Sequence, residues 1–464
     1  MANTEQPTTA QGISKGKRIW GWYFFDWASQ PLHTLLVTFI FAPYFAAVAT
    51  DFYLTSGMTE DAAKVQAQSI WATCLTIAGL IVGFGAPIMG ALADSSGKRM
   101  PWIFVFSCMY VIGATSLWYT MPDGGNLIWM LAAFALAFIG AEYALIFTNS
   151  QLPSLGTDDE VGRISGSGFA FGYAGGFIAL LMMLLLFADN ENGKTLIGTD
   201  PIFGLDGDQR EGTRAVGPIT AIWFVLFMVP YFLWVKEDPG SGTRASFGDA
   251  MRSLGQLLKS LPQRLSLSAY LGSSMFYRDA LNGLYSFGGV YAALVLEWQI
   301  TQIGIFGIVA LISSVIFSWL GGRLDQRIGP KPVIIGAIWI LIAVCITVVS
   351  MSRDVFFGIP LAPGSSLPDM VFFGCGVLIG GMGGIVQASS RSLMVRHSDP
   401  ASPTEYFGLY GLSGRATSFL APLLIGLFTA WTESNRLGVS PVIGLFIIGL
   451  VLLIWVKPEG DRRV

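Results

Sequence analysis

Long apolar runs alternate with short polar stretches along nearly the whole chain. A hydrocarbon core about 30 Å thick takes about 20 helical residues to cross. By that ruler the runs predict twelve spanning helices, at 20–49, 67–93, 100–121, 126–151, 164–188, 217–235, 265–296, 301–322, 331–350, 369–394, 404–431 and 439–456. The fold class expected is an all-α membrane protein, its twelve transmembrane helices arranged in two pseudo-symmetric six-helix bundles. Two polar stretches are longer than the rest. The one from about Lys236 to Pro262 divides the spans six and six. Within it, "SFGDAMRSLGQLLKSLPQR" sets Phe247, Met251, Leu254, Leu258 and Leu261 at helical spacing, with Arg252 and Lys259 available to the polar side. That pattern predicts an amphipathic linker helix lying on the inner leaflet. The other stretch, about 189–216, is rich in Gly and Asp. Its acidic residues lack the spacing and the terminal Glu of a calcium loop, so a solvated loop is expected there. The organisation read from the pattern is a tail at 1–19, a bundle at 20–235, a linker at 236–264, a second bundle at 265–456 and a tail at 457–464.

Composition agrees with the membrane reading, since 53% of the 464 residues are hydrophobic and 12% charged, against about 25% charged in soluble chains. The charges are sided. Nineteen Lys and Arg fall in segments on the side of both termini and six on the other, which puts the termini in the cytoplasm. A net charge of -3 offers no basic surface to nucleic acid, so the bilayer is the expected large-scale partner. Cys74, Cys108, Cys345 and Cys375 all lie in apolar stretches and suggest no disulfide between exposed loops. The opening "MANTEQPTTAQGISKGKR" reads as a cytoplasmic tail, because no small-residue cleavage site follows a short apolar core.

Charged and polar side chains inside the runs are the candidate chemistry, because an ion near mid-bilayer costs about 2.5 to 3.5 kcal/mol on insertion scales. Asp26, Gln30 and His33 fall at i, i+4 and i+7, on one helix face of span 1. Arg278, Asn282 and Tyr285 repeat that spacing in span 7, with Asp279 one position round. Span 4 adds Glu142 and Tyr143, span 10 adds Gln387 and span 11 adds Arg415. Such groups are expected to line a common cavity for solute or proton, Asp26, Gln30, His33, Tyr143, Arg278, Asp279, Asn282 and Gln387 as binding residues. Asp26 is alternatively a cap near the inner surface, and His33 alternatively a bundle hydrogen bond. Glu142 and Arg415 stand at compatible depths and read as a gate or a structural ion pair. Metal ligation is not indicated, since His33 and His397 are separated and no ligand cluster accompanies them, and no cofactor is expected.

A repeat relates the halves. "GALADSSGKR" after span 2 holds Asp94, Lys98 and Arg99, and "GGRLDQRIGPK" after span 8 holds Asp325. Asp94 there can meet the positive end of a helix dipole, while Lys98 and Arg99 pair with acids or lipid phosphate. Gly168, Gly172 and Gly176 in span 5 and Gly376, Gly380 and Gly384 in span 10 form stripes that permit close backbone approach.

The first of those loops resembles the G-x-x-x-D-x-x-G-x-R motif of the major facilitator superfamily, and the second is a degenerate copy. "FFDWASQ", "TNSQLPSL", "GRISGSGFAFGYAGG", "MFYRDALNGL" and "GGIVQASSRSLMVRHSDP" running into "EYFGLYGLSGRATSFLAPLLIG" look like the vacuolar effluxer branch associated with autophagy and its bacterial relatives. The resemblance covers nearly the whole chain. It implies a monomeric twelve-helix alternating-access carrier, with spans 5 and 10 meeting at an inner gate. For fungal members it implies export of amino acids, and for this chain a bacterial plasma-membrane location. The function expected is therefore secondary transport of a small polar solute, most plausibly an amino acid, with or without a coupled proton. Export of another metabolite or drug, and a non-transporting solute sensor, stay open. An intramembrane enzyme is disfavoured because no Ser–His or paired-Asp constellation assembles. The charge-based topology is checked by placing a cysteine at Asn192 in a cysteine-free background. An impermeant maleimide should label it from outside, and labelling only from the cytoplasm would overturn the topology.

Overall fold

The computed structural model describes residues 12–190, 193–237 and 247–461, with the side chains of 300 and 301 excepted. Asn192, Arg244, Arg462, Arg463 and residues 1–11 of the amino-terminal tail, all used in the reading above, lie outside the described residues. The helices are α1 (Lys15–Pro31), α2 (Phe41–Thr55), α3 (Glu60–Ser96), α4 (Met100–Ser116), α5 (Leu127–Asn149), α6 (Asp158–Leu186), α7 (Glu211–Arg214), α8 (Val216–Trp234), α9 (Phe247–Ser260), α10 (Leu265–Leu294), α11 (Ile300–Ile328), α12 (Pro330–Val349), α13 (Leu367–His397), α14 (Pro403–Ala416), α15 (Leu420–Thr432) and α16 (Pro441–Leu453). The strands β1 (Val355–Phe356) and β2 (Ile359–Pro360) form one small hairpin.

Among the described residues, 10 helical segments are long and apolar enough to cross a membrane, with α1 through α2 forming one and α14 through α15 another. The shorter apolar segment Leu437–Leu453 and the 30-residue α10 complete the twelve expected. Helix α10 falls outside the apolar set because Ser273, Ser274, Arg278, Asp279 and Asn282 dilute it.

Two of the spans are interrupted, each beside a proline. In the first, Pro31 has no N–H to give the Trp27 carbonyl one turn back. That carbonyl instead accepts from the indole Nε1 of Trp223 on α8 at 3.1 Å. Beyond Pro31 the chain winds as a π-helix over Leu32–Phe39 and restarts as α2. In the eleventh, Pro422 denies the Ser418 carbonyl its helical donor, and the chain breaks at 417–419 between α14 and α15.

Packing repeats between the halves. Helix α1 packs along α8 and α4 along α8, while α10 packs along α16 and α12 along α16, so the first, third and sixth spans of each half meet in the same pairs. The glycine stripe of α13 faces α11, with Gly380 against the Ala310 carbonyl and Gly376 against the Phe306 ring. Gly384 lies there against Ser314 and Ser318. On α6, Gly172 and Gly176 face α1, and a Cβ at Gly172 would stand 3.1 Å from the Asp26 carbonyl oxygen. Gly168 is buried in the same helix.

The chain divides into two compact units that do not follow the midpoint of the sequence. The first comprises Met1–Gly85, Ser96–Thr148 and Phe171–Thr243, and the second Ala86–Ser95, Asn149–Ala170 and Arg244–Val464. The ends of α3 and α5 and the start of α6 thus belong with the carboxy-terminal spans. Helix α9 forms where the linker helix was expected, with part of its apolar face packed on the end of α3. Its Ala250 and Leu254 are buried with Ala91, and Ile88, Leu92 and Met251 pack around them. The end of α3 covers this face, and Phe247 and Leu258 are what remain exposed. Close packing at Gly380 makes a test: Gly380→Leu should destabilise the purified protein by about 1 to 3 kcal/mol, as overpacked sites do. Gly374→Leu, at a position with nothing within 4 Å of its Cβ, should not. Equal thermal shifts for the two would contradict the packing described.

Candidate functional site

In the first unit, Asp26 sits on α1 with 7% of its surface exposed. The small residues of α6 allow this placement, because Gly172 brings that helix against the Asp26 backbone. One turn on, Gln30 lies beside Gly176. His33 falls in the π-helical stretch, and its Nε2 stands 3.8 Å from Oε1 of Glu142 on α5. The Glu142 side chain is 6% exposed and that of His33 43%, so a protonated His33 would bring a cation to a carboxylate shielded from solvent. This neighbour of Glu142 was not anticipated, since the spacing had drawn attention to Arg415. The Tyr143 hydroxyl donates to the Ile81 carbonyl at 2.7 Å, across the gap left by Gly85, and its ring packs on Phe106.

In the second unit, Arg278 and Asp279 leave α10 in different directions and do different things. The Arg278 guanidinium lies 4.4 Å over the Tyr410 ring and donates to the Tyr410 carbonyl at 3.1 Å. Gly414 supplies the room, as any side chain there would strike the guanidinium. Among the described residues Arg278 forms no ion pair. Asp279 is buried and accepts from the Ala421 N–H at 2.9 Å, at the start of α15. Asn282 is exposed, Gln387 on α13 is half-buried, and Arg415 is half-buried in the last turn of α14. Around them Tyr277 shares a hydrogen bond with Ser390 Oγ at 2.7 Å, and Tyr270 donates to the Ser390 carbonyl at 2.5 Å.

A second cluster in this unit centres on Arg391, which the sequence reading counted only as a positive charge near a helix end. It is 1% exposed. Its Nε donates to Ser165 Oγ at 3.0 Å, one Nη to the Ser165 carbonyl at 2.9 Å and the other to Asn149 Oδ1 at 2.9 Å. The Phe169 ring lies 4.2 Å beneath its guanidinium. Ser165 Oγ in turn donates to the Ala388 carbonyl, so the contact satisfies both partners. The available signal was the run of small residues flanking Arg391, which lets neighbouring backbone close over it.

Nearby, Asp94 Oδ2 accepts from the Glu405 N–H at 2.8 Å, meeting the amino end of α14 where backbone donors have no helical partner. The Glu405 side chain accepts from Ser253 of α9 at 3.2 Å, which ties the linker helix to the same place. Gly90 lies against the Thr404 carbonyl and Gly408 against the Ala86 carbonyl. Asp325 is 1% exposed, accepts from Ser392 Oγ at 3.4 Å and lies against Gly162. Gly166 and Gly322 meet backbone to backbone, so α6 and α11 approach through glycines outside the predicted stripes. In the first unit, the N–H groups of Arg99 and Met100 donate to Glu237 at 2.9 to 3.1 Å, which caps α4. Lys98 beside them is exposed.

This geometry predicts unequal costs for removing basic residues. Arg391→Gln leaves buried acceptors on α5 and α6 short of donors, at about 1 to 3 kcal/mol for each one unsatisfied, and should lower the melting temperature of the purified chain markedly. Lys98→Gln should leave it nearly unchanged. A melt for Arg391→Gln that coincides with that of Lys98→Gln would exclude the described role.

Comparison with known proteins places these features in context. Residues 14–463 match the family described as vacuole effluxer Atg22 like. The MFS-type transporter YxiO of Bacillus subtilis is 24% identical over 451 residues, covering 96% of this chain and 95% of that protein. Autophagy-related protein 22 of Cryptococcus neoformans is 23% identical over 310 residues, 65% of this chain. The match spans about half the length of that fungal relative, 51%. Among solved structures, the transporter FucP in its outward conformation superposes with a TM-score of 0.67 at 14% identity, covering 95% of this chain and 98% of FucP. The proton:xylose symporter XylE reaches 0.69 at 11% identity, over 95% and 94%.

Proposed function

Because the chain belongs to the vacuole effluxer Atg22 like family, and is thus a transporter of the major facilitator type rather than an enzyme, we propose that it carries a small zwitterionic solute, an amino acid, by alternating access. The observation that carries this reading is Arg278. Its guanidinium is held mid-helix on an aromatic ring and one carbonyl, with no carboxylate paired to it among the described residues, a costly arrangement in a bilayer. A solute carboxylate would complete it, since guanidinium and carboxylate match as paired donors and acceptors. Arg415 on α14 of the same unit is a second guanidinium. In the first unit, Asp26, Glu142 and the faces of Tyr143 and Trp27 have the chemistry to hold an ammonium. Gln30 and His33 in the first unit, and Asn282 and Gln387 in the second, can offer neutral hydrogen bonds to a solute, and Asp26 or Asp279 takes up a coupled proton. A purely cationic drug would have no use for the arginines, which is what favours an amino acid over that alternative. The name of the bacterial relative supports transport, and the family description supports efflux. Two of the fold neighbours are described as proton symporters.

In this reading Asp94, Lys98, Arg99, Asp325, Glu142 and Arg415 belong to gates whose contacts break as the carrier opens. The glycines of α6 and α13 let the helices pack closely enough to slide. The protein works as a monomer in a bacterial plasma membrane, both termini cytoplasmic.

The test is flux of labelled amino acids in proteoliposomes made with the full chain. Arg278→Gln should raise the apparent KM for the transported amino acid about tenfold or more, the loss of about 1.5 to 3 kcal/mol that a charge-assisted hydrogen bond provides. Asp26→Asn should fold, reach the membrane and lose coupled transport. Wild-type flux in both variants would remove the solute site from this set of residues, and no flux of any amino acid would remove the substrate class.

A further inference from the structure

The break in the eleventh span places a buried acid against a half-helix in a way that the solute reading leaves unexplained. Helix α15 is 13 residues long and begins at Leu420. Side-chain acceptors at a helix start take the N–H of the second or third residue. Here the second residue, Ala421, gives its N–H to Asp279 Oδ2 at 2.9 Å. The third is Pro422, which has none to give. The other carboxyl oxygen, Oδ1, is accordingly buried without a hydrogen-bond partner, in a residue 1% exposed. The same proline denies the Ser418 carbonyl its donor, so an acceptor without its usual helical bond stands at each side of the break.

Among the described residues, nothing else neutralises the acid. Helices α15 and α16 carry no charged side chain. On α10 the neighbouring Arg278 is turned onto Tyr410, and the hydroxyl of Tyr277 is engaged with Ser390. Arg415 and Tyr410 are the groups α14 presents near the break, and neither bonds to the Asp279 carboxyl. The charges of α11 and α13 lie toward the helix ends. An ionised Asp279 therefore has one N–H and the positive end of α15 to support it, and a neutral one has Oδ1 free to carry a hydrogen.

We propose that Asp279 is the site at which this carrier takes up and releases its coupled proton, distinct from the Arg278 solute contact, and that its charge holds the start of α15 on α10. The inference rests on the transport reading above and gives its proton a place. The proton adds to Oδ1 and converts the carboxylate to a carboxylic acid. The acid loses the attraction between anion and half-helix, and α15 is freed to move. Room for that movement exists, because a cavity of about 310 Å³ lies further along the same pair of helices, bordered by Phe287, Val290, Ile425 and Gly426. A proton requires only the one vacant oxygen, whereas a metal cation would require several.

The deciding experiment is infrared spectroscopy of the full chain in lipid, titrated from about pH 5 to 9, a range in which buried carboxyls titrate. The wild-type spectrum minus that of Asp279→Asn should contain the carbonyl-stretch band of a protonated carboxyl that fades as pH rises. Should Asp279→Asn not fold, Asp279→Glu keeps the acid and identifies it by shifting the band. Absence of the band at every pH, meaning a permanent anion, overturns the proposal, as does a band unchanged across the range, meaning a permanently neutral cap. A repeat in sodium and in choline supports the proton if the band is the same in both, and overturns it in favour of sodium if sodium abolishes the band at fixed pH. The spectrum is independent of solute, so a titrating band with no amino-acid flux would sink the transport reading alone, and flux without the band would sink this one alone.

Discussion

A backbone carbonyl left without a donor in hydrocarbon costs several kcal/mol, and a proline inside a spanning helix creates one every time. Much of what is unusual in this protein follows from how those debts are met. At Pro31 the repair is made by a neighbour, the Trp223 indole, and the first span continues as a π-helix. At Pro422 it is made by breaking the span and bringing Asp279 to the new helix start. Both repairs draw a polar or aromatic side chain of an adjacent span into a fixed position beside the residues proposed to bind solute. The irregular backbone and the functional side chains therefore have one origin.

The same requirement governs the buried charges. Arg391 is tolerated in the interior because serine, asparagine and backbone acceptors surround it and a phenyl ring lies under it. Asp94 is matched with the unpaired donors at the start of α14. Arg278, by contrast, has an aromatic face and a single carbonyl. Saturated charges serve as structure and unsaturated ones are available to a ligand, a distinction in partner chemistry that depth alone does not make. In the second unit the saturated set joins the ends of α3, α5 and α6 to α13 and α14. This is why the compact units do not follow the halves of the sequence.

How much was legible beforehand depended on range. Asp26 and Gln30 on one face, the sided Lys and Arg and the twelve spans all follow from helical period, bilayer thickness and charge, which are properties of residues a turn or a span apart. Asp94 meeting a helix end was also readable, because dipoles demand little geometry. The approach of His33 to Glu142 was not, because the 3.8 Å separation depends on the path of the π-helical stretch.

Sequence alone determined that this chain enters a membrane, how many times it crosses, where the repeat lies and which side chains are too polar to face lipid. Those are consequences of transfer free energy, which sums over local composition. Tertiary structure decided that part of the apolar face of α9 packs on α3, that Gly166 and Gly322 bring α6 onto α11, that Arg391 is sealed while Arg278 is open, and that Asp279 caps a half-helix. Each of these turns on which of several chemically adequate partners arrives within bonding distance, and that is set by packing between residues far apart in the chain.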